Sequence, residues 1–285
     1  MQNAPRYGAT SPSMKLSLAD IVAREKSKRD VARRRNLAIR CASVAMLLIG
    51  WEIAGFYTPR IFLTPFHRTV IAFFQLIGNG SLLLATSRSL EVLLAGLLLS
   101  VVIGVPVGLL MGRFRRVDWA LSPYVNGLYA TPTVALLPII SLWLGLYVAP
   151  KIAIVVLLAV FPIIKNTYAG VMTISQDLIE PAVSMGASEL QISHKVIAPA
   201  IVPFAIAGLR LAIGRGIVGL VVGEFFTSQT GLGGVLVRYA SAFNTAEMFV
   251  PIIVLAAIGY GLTTFVIKLQ VWVAPWKESE RDQGF

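Results

Sequence analysis

Long apolar runs separated by short polar links dominate the chain, near 37–57, 87–111, 123–146, 150–172, 205–227 and 248–274. Each reaches the roughly 20 residues that a helix needs to cross a bilayer. The pattern predicts six spanning helices, and an even number puts both termini on one side. Between the first two runs, Phe66, Val70, Phe73, Phe74 and Ile77 recur at helical spacing, which predicts a helix on the outer membrane surface. In the second run Gly96, Ser100, Gly104, Gly108 and Gly112 stand four apart. Such a ridge lets two backbones approach closely, the usual route to helix association in lipid. Its partner is either another helix of the same chain or a second copy. Pro132, Pro138, Pro162 and Pro251 are expected to interrupt their helices, with neighbouring helices or water taking up the freed carbonyls.

Composition agrees with lipid as the solvent. Of 285 residues, 56% are hydrophobic and 14% charged, against roughly 25% charged in a soluble domain. The net charge of +11 could suggest nucleic acid, but nine of the 25 basic residues lie between Arg6 and Arg35, ahead of the first apolar run. We therefore expect a basic tail over 1–36, a membrane domain over 37–275 and a short tail over 276–285, with no nucleic-acid partner. The first tail either lies near anionic lipid headgroups or is a disordered basic segment, and Leu18, Ile21 and Val22 could give part of it an apolar helical face. An apolar run that begins near Asn36 comes too late for a secretory signal, so an uncleaved anchor is expected. Cys41 is the one cysteine, which excludes an intrachain disulfide and any multi-cysteine metal site. His67 and His194 show no metal spacing, so no cofactor is expected in this chain.

The basic residues also orient the chain. Arg113, Arg115 and Arg116 follow the second run, whereas the links near Lys151 and Arg238 hold one cation each. By the positive-inside rule, the Arg113–Arg116 link and both termini are cytoplasmic, and the regions near Lys151 and Arg238 face outward.

Ionisable residues within spanning runs are costly and invite a functional reading. Glu52 and Lys165 are read as structural or interfacial. A fifth helix that starts near Ala205 would place Arg210 by the inside boundary and Arg215 roughly 15 Å deeper. Arg210 is then a snorkelling or structural residue. Arg215 either lines a pathway or pairs in the interior. Glu224 is nine residues beyond Arg215, on the opposite helix face, so each needs a partner from elsewhere. Arg210, Arg215 and Glu224 are the candidates for a translocation pathway.

A more polar stretch over 175–204 separates the fourth and fifth runs. Asp177 and Glu180 surround a helix start there, and Pro181 suits only the first turn of that helix. Gly186-Ala187 marks a tight bend. Ser188 and Gln191 have capping-box spacing for a second short helix. With Glu180-Pro181-Ala182, then Gly186, Val196, Ala198 and Pro199, the stretch resembles the signature of permease subunits of binding-protein-dependent ATP-driven importers. That signature is Glu-Ala-Ala, three residues, Gly, nine residues, Ile, one residue, Leu-Pro. Pro181, Val196 and Ala198 depart from it. The run Gly208 to Arg215, Gly223-Glu224, Gly231-Leu232-Gly233 and Gly104 to Leu109 look like the nitrate, sulfonate and taurine branch. Val92 departs, standing where many relatives carry a basic residue.

The resemblance implies an all-α permease of the bacterial inner membrane that works as a homodimer. It implies contact with a separate ATPase, holding ATP and Mg, through Glu180, Pro181, Ala182, Gly186 and Ala187. A periplasmic binding protein would deliver a small, anionic solute. No Gly-x4-Gly-Lys-Ser/Thr loop is present in this chain, so the energy must come from another polypeptide. The rival is a secondary transporter or channel with Glu52 or Glu224 as an ion site. A membrane enzyme finds no clustered His, Cys or carboxylates to support it.

Overall fold

The computed structural model describes residues 18–227 and 230–274, so the tail over 276–285 and the first 17 residues of the basic tail lie outside the described residues. Helix α1 runs unbroken over Leu18–Tyr57, with no structural break at residue 36, and its membrane-crossing part is Arg34–Tyr57. Then come α2 (Phe66–Gly78), α3 (Ser81–Arg113), α4 (Arg115–Ala130), a short 3-10 turn, α5 (Leu137–Leu144) and α6 (Ala149–Met172). After them follow α7 (Gln176–Ser184), α8 (Glu189–Ile192), α9 (Ala198–Phe226), α10 (Gly231–Ser241) and α11 (Thr245–Val273). Among the described residues five helices are long and apolar enough to span a bilayer, and a sixth is reached if the bent pair α4–α5 counts as one span.

The third run, expected over 123–146, is interrupted at Pro132 and begins earlier, at Arg115. Helices α4 and α5 meet at 91°. Thr131 is extended, at φ −70° and ψ 138°, as the residue before a proline tends to be. Pro138 opens α5, where a missing N–H costs nothing. Pro162 and Pro251, by contrast, sit inside helices that continue past them. The fifth span starts earlier than expected: α8, a π turn over Ser193–Ile197 and α9 form one line of 38 residues from Glu189. The π turn falls just before Pro199, where widening the helix accommodates the lost N–H.

Helix α6 forms the axis of the bundle, packed between α3 and α9. The small-residue ridge of α3 faces α6 within the same chain. A Cβ at Gly96 would stand 2.4 Å from Val155, and one at Gly108 would stand 2.6 Å from the Ile164 carbonyl oxygen. Gly219 of α9 also packs on α6, less tightly, with the Ile154 carbonyl 3.1 Å from such a Cβ. On α2 the buried face is Thr69, Ala72 and Leu76, joined by Phe73 and Ile77, while Phe74 points away. Lys151 is 1% exposed within the first turn of α6, and the Gly231–Val235 end of α10 is buried.

Candidate functional site

The polar stretch folds into two short helices, α7 and α8, joined by a closed bend. Ser175 caps α7, its Oγ accepting from the Asp177 N–H at 3.0 Å. The helix therefore starts a full turn before Pro181, which stands in its interior rather than its first turn as expected. Helix α7 lies at the surface, where water can bond the Asp177 carbonyl that lacks the proline's N–H.

The helix ends in a Schellman motif. The Gly186 N–H bonds the Val183 carbonyl at 2.9 Å and the Ala187 N–H bonds the Ala182 carbonyl at 3.0 Å. Gly186 stands at φ +78°, a conformation that costs other residues roughly 1–2 kcal/mol. The expected capping box is formed: the Ser188 N–H donates to Gln191 Oε1 at 2.8 Å, and the Gln191 N–H to Ser188 Oγ at 3.3 Å.

One face of this unit is anchored. Ile179, Ala182 and Ala187 pack on buried Val171, Ile192, Ile197 and Ile201, and Glu189 pairs with Arg113 at the end of α3. Its other face presents Leu178, Val183, Met185 and Leu190, each more than half exposed, beside the exposed Glu180, Pro181 and Gly186. The element is anchored on one face and shows apolar side chains on the other.

The three pathway candidates separate. Arg210 donates to Gln270 Oε1 of α11 at 3.0 Å and is half-buried. Arg215 is exposed, donates to the Tyr129 hydroxyl at 2.9 Å and lies 4.6 Å from the centre of that ring. Lys165, read from sequence as structural or interfacial, lies 4.4 Å from the same ring centre. Because α9 does not begin near Ala205, Arg215 is placed by its neighbours rather than by helix length. Tyr129 is 14 residues past Arg115 along α4, or roughly 21 Å.

Glu224 is 1% exposed and closes on the start of α10. It accepts from Ser89 Oγ of α3 at 2.6 Å and from the Gly233 N–H at 2.6 Å, while Ser89 Oγ accepts from the Leu232 N–H at 2.8 Å. A carboxyl group at a helix N-terminus suits the backbone donors and the dipole there. Lys151 Nζ donates to Thr230 Oγ1 at 2.7 Å beside it. Gly231 has φ +83°, and a Cβ there would stand 2.0 Å from Glu224 Oε1, so no other residue fits. Glu52, also named as an ion-site candidate, instead ties α1 to α2, accepting from the His67 N–H at 3.0 Å and meeting His67 Nδ1 at 2.6 Å.

The described residues form a helical bundle of membrane-length apolar helices with a capped elbow at one end. Residues 104–279 match the family described as the binding-protein-dependent transport system inner membrane component, and the chain belongs to that family. It is 30% identical to the formylaminopyrimidine transport permease of Halalkalibacterium halodurans, over 82% of this chain and 94% of that one. It is 30% identical to the putative aliphatic sulfonates transport permease of Bacillus subtilis, over 82% of this chain and 86% of that one. The taurine transport system permease of Escherichia coli is 29% identical over 85% of this chain and 90% of its own. The fold is that of a chain in inward-facing structures of the MetNI methionine transporter, with TM-score 0.60 at 20% identity over 68% of this chain and 96% of that one. The protein is thus a multi-pass transport subunit of an ATP-driven importer. ATP hydrolysis belongs to a separate ATPase subunit, and a solute-binding protein is the other partner.

Proposed function

We propose that this permease forms a homodimer that imports a small anionic solute by alternating access, with the α7 elbow seated on the ATPase. The elbow carries the proposal: it is locked by the Schellman motif and the capping box, and its exposed side is apolar. A rigid element of this kind can pass closure of a partner's groove into the bundle as a rigid-body push. ATP and Mg are held on that partner. The Arg113–Glu189 pair puts the elbow at the same end of the bundle as Arg115 and Arg116, so the positive-inside rule that makes those arginines cytoplasmic does the same for the elbow and both termini. The basic segment ahead of the first span then faces anionic lipid.

Solute charge is inferred from Arg215. Named solutes among the relatives run from aliphatic sulfonates and taurine to formylaminopyrimidine and riboflavin, so kinship leaves the charge open. Arg215 is an exposed guanidinium with no carboxylate partner among the described residues. An anion at about 4 Å from it gains roughly 4 kcal/mol at an effective dielectric constant of 20. In proteoliposomes with the ATPase and binding protein, Arg215→Ala is expected to slow anion uptake at least about tenfold, with assembly intact. Arg215→Lys is expected to restore part of the rate, because charge matters here more than bidentate geometry. Loss of assembly in Arg215→Ala, or uptake at the wild-type rate, would make the residue structural or idle.

A further inference from the structure

Two polar stripes face each other beside Arg215. On α4, Ser122, Asn126 and Tyr129 recur at i, i+4 and i+7, one face of a helix. On α6, Lys165 and Tyr168 stand three apart. Ser122, Asn126, Lys165 and Tyr168 line a cavity of about 260 Å³. The Tyr129 ring meets Phe161 in an edge-on contact, with ring centres 6.2 Å apart. That ring holds two cations, Lys165 Nζ at 4.4 Å and Arg215 Cζ at 4.6 Å, so the two positive centres are at most 9.0 Å apart. The nearby acid, Asp118, is engaged by the Ser122 and Tyr168 hydroxyls. Neither Lys165 nor Arg215 forms an ion pair with a carboxylate among the described residues. Two like charges gathered on one ring repel each other, and an anion between them would offset that repulsion.

We propose that Lys165 and Arg215, held on the Tyr129 ring, are the two arms of a binding site for a small oxyanion, with the Asn126 amide at the cavity wall. The cations supply charge from two helices, α6 and α9, so the site changes shape whenever those helices shift against α4. This makes affinity dependent on the state of the bundle, which a carrier needs in order to release what it binds. Tyr129 stands about 21 Å along α4 from Arg115, away from the headgroup level that Arg115 marks, which favours a solute over a lipid phosphate. The proposal rests on the importer reading of this face, yet binding can be read without transport.

The test is calorimetric titration of the permease–ATPase complex, without nucleotide, in nanodiscs of phosphatidylcholine. Methanesulfonate is the probe and dimethyl sulfone its uncharged counterpart. Saturable binding of methanesulfonate and none of the sulfone is expected. Lys165→Gln and Arg215→Gln should each weaken binding by at least about tenfold, while Lys165→Arg should stay within about threefold of wild type because it keeps the charge. Should Lys165→Gln fail to assemble, Arg215→Gln, at an exposed position, decides alone. Equal binding of the sulfone, or unchanged affinity in Arg215→Gln, overturns the site. Binding abolished by adding phosphatidylglycerol to the disc would assign it to lipid and overturn the solute reading. A complex that binds but never transports with ATP contradicts the importer reading instead, and one that transports without binding contradicts this site.

Discussion

Gly186→Arg is expected to abolish solute uptake while leaving a folded permease. Position 186 is exposed and a Cβ there meets nothing within 4 Å, so the side chain itself has room in the isolated subunit. The backbone cost at φ +78° is roughly 1–2 kcal/mol, too little to unfold a bundle whose core lies between α3, α6 and α9. Bulk is excluded only where the elbow must enter a partner's groove. Gly186→Asn separates the two effects, since Asn tolerates the left-handed conformation at a helix end. It should transport near the wild-type rate, with Gly186→Ala in between. Uptake measured in proteoliposomes, with folding followed by gel filtration, decides the matter. Wild-type uptake by Gly186→Arg would remove the elbow from the coupling contact.

The second large effect concerns Glu224, where loss of stability rather than of transport is expected. Glu224→Ala leaves the Ser89 hydroxyl and the Gly233 N–H without their acceptor in a site that is 1% exposed. Each orphaned donor costs about 1–3 kcal/mol, and α10 loses its tie to α3 and α9. The variant should show a clearly lowered Tm in detergent and poor recovery, and Glu224→Gln should fall between it and wild type. A stable Glu224→Ala permease with altered transport would instead return the residue to the pathway.

Local features of the site were legible in the sequence. Ser188 and Gln191 form their capping box because both partners lie within one turn, and the Gly186 bend follows from a single residue's backbone freedom. The α3 ridge reads correctly because its four-residue spacing is a property of one helix, although its partner α6 could not be named. What stayed hidden depends on distant helices. Glu224 meets Ser89, 135 positions away, and Arg215 meets Tyr129, 86 positions away, and no spacing rule links them. The burial of Lys151 likewise depends on a contact far along the chain, with Thr230, 79 positions away. The bend at Pro132 was marked by its prolines but masked by continuous apolarity through 123–146. The early start of the fifth span was masked in the opposite way, since Pro199, Pro203 and the polar residues before them resemble a loop.

Seating of the elbow on the ATPase is tested most directly by photo-crosslinking. A benzophenone amino acid placed at Met185, which is 87% exposed on the elbow, should crosslink the ATPase subunit in the assembled complex. The same probe at Tyr147, 78% exposed at the opposite end, should not. Crosslinking of the ATPase from position 147, or none from position 185 in a complex that hydrolyses ATP, would contradict it.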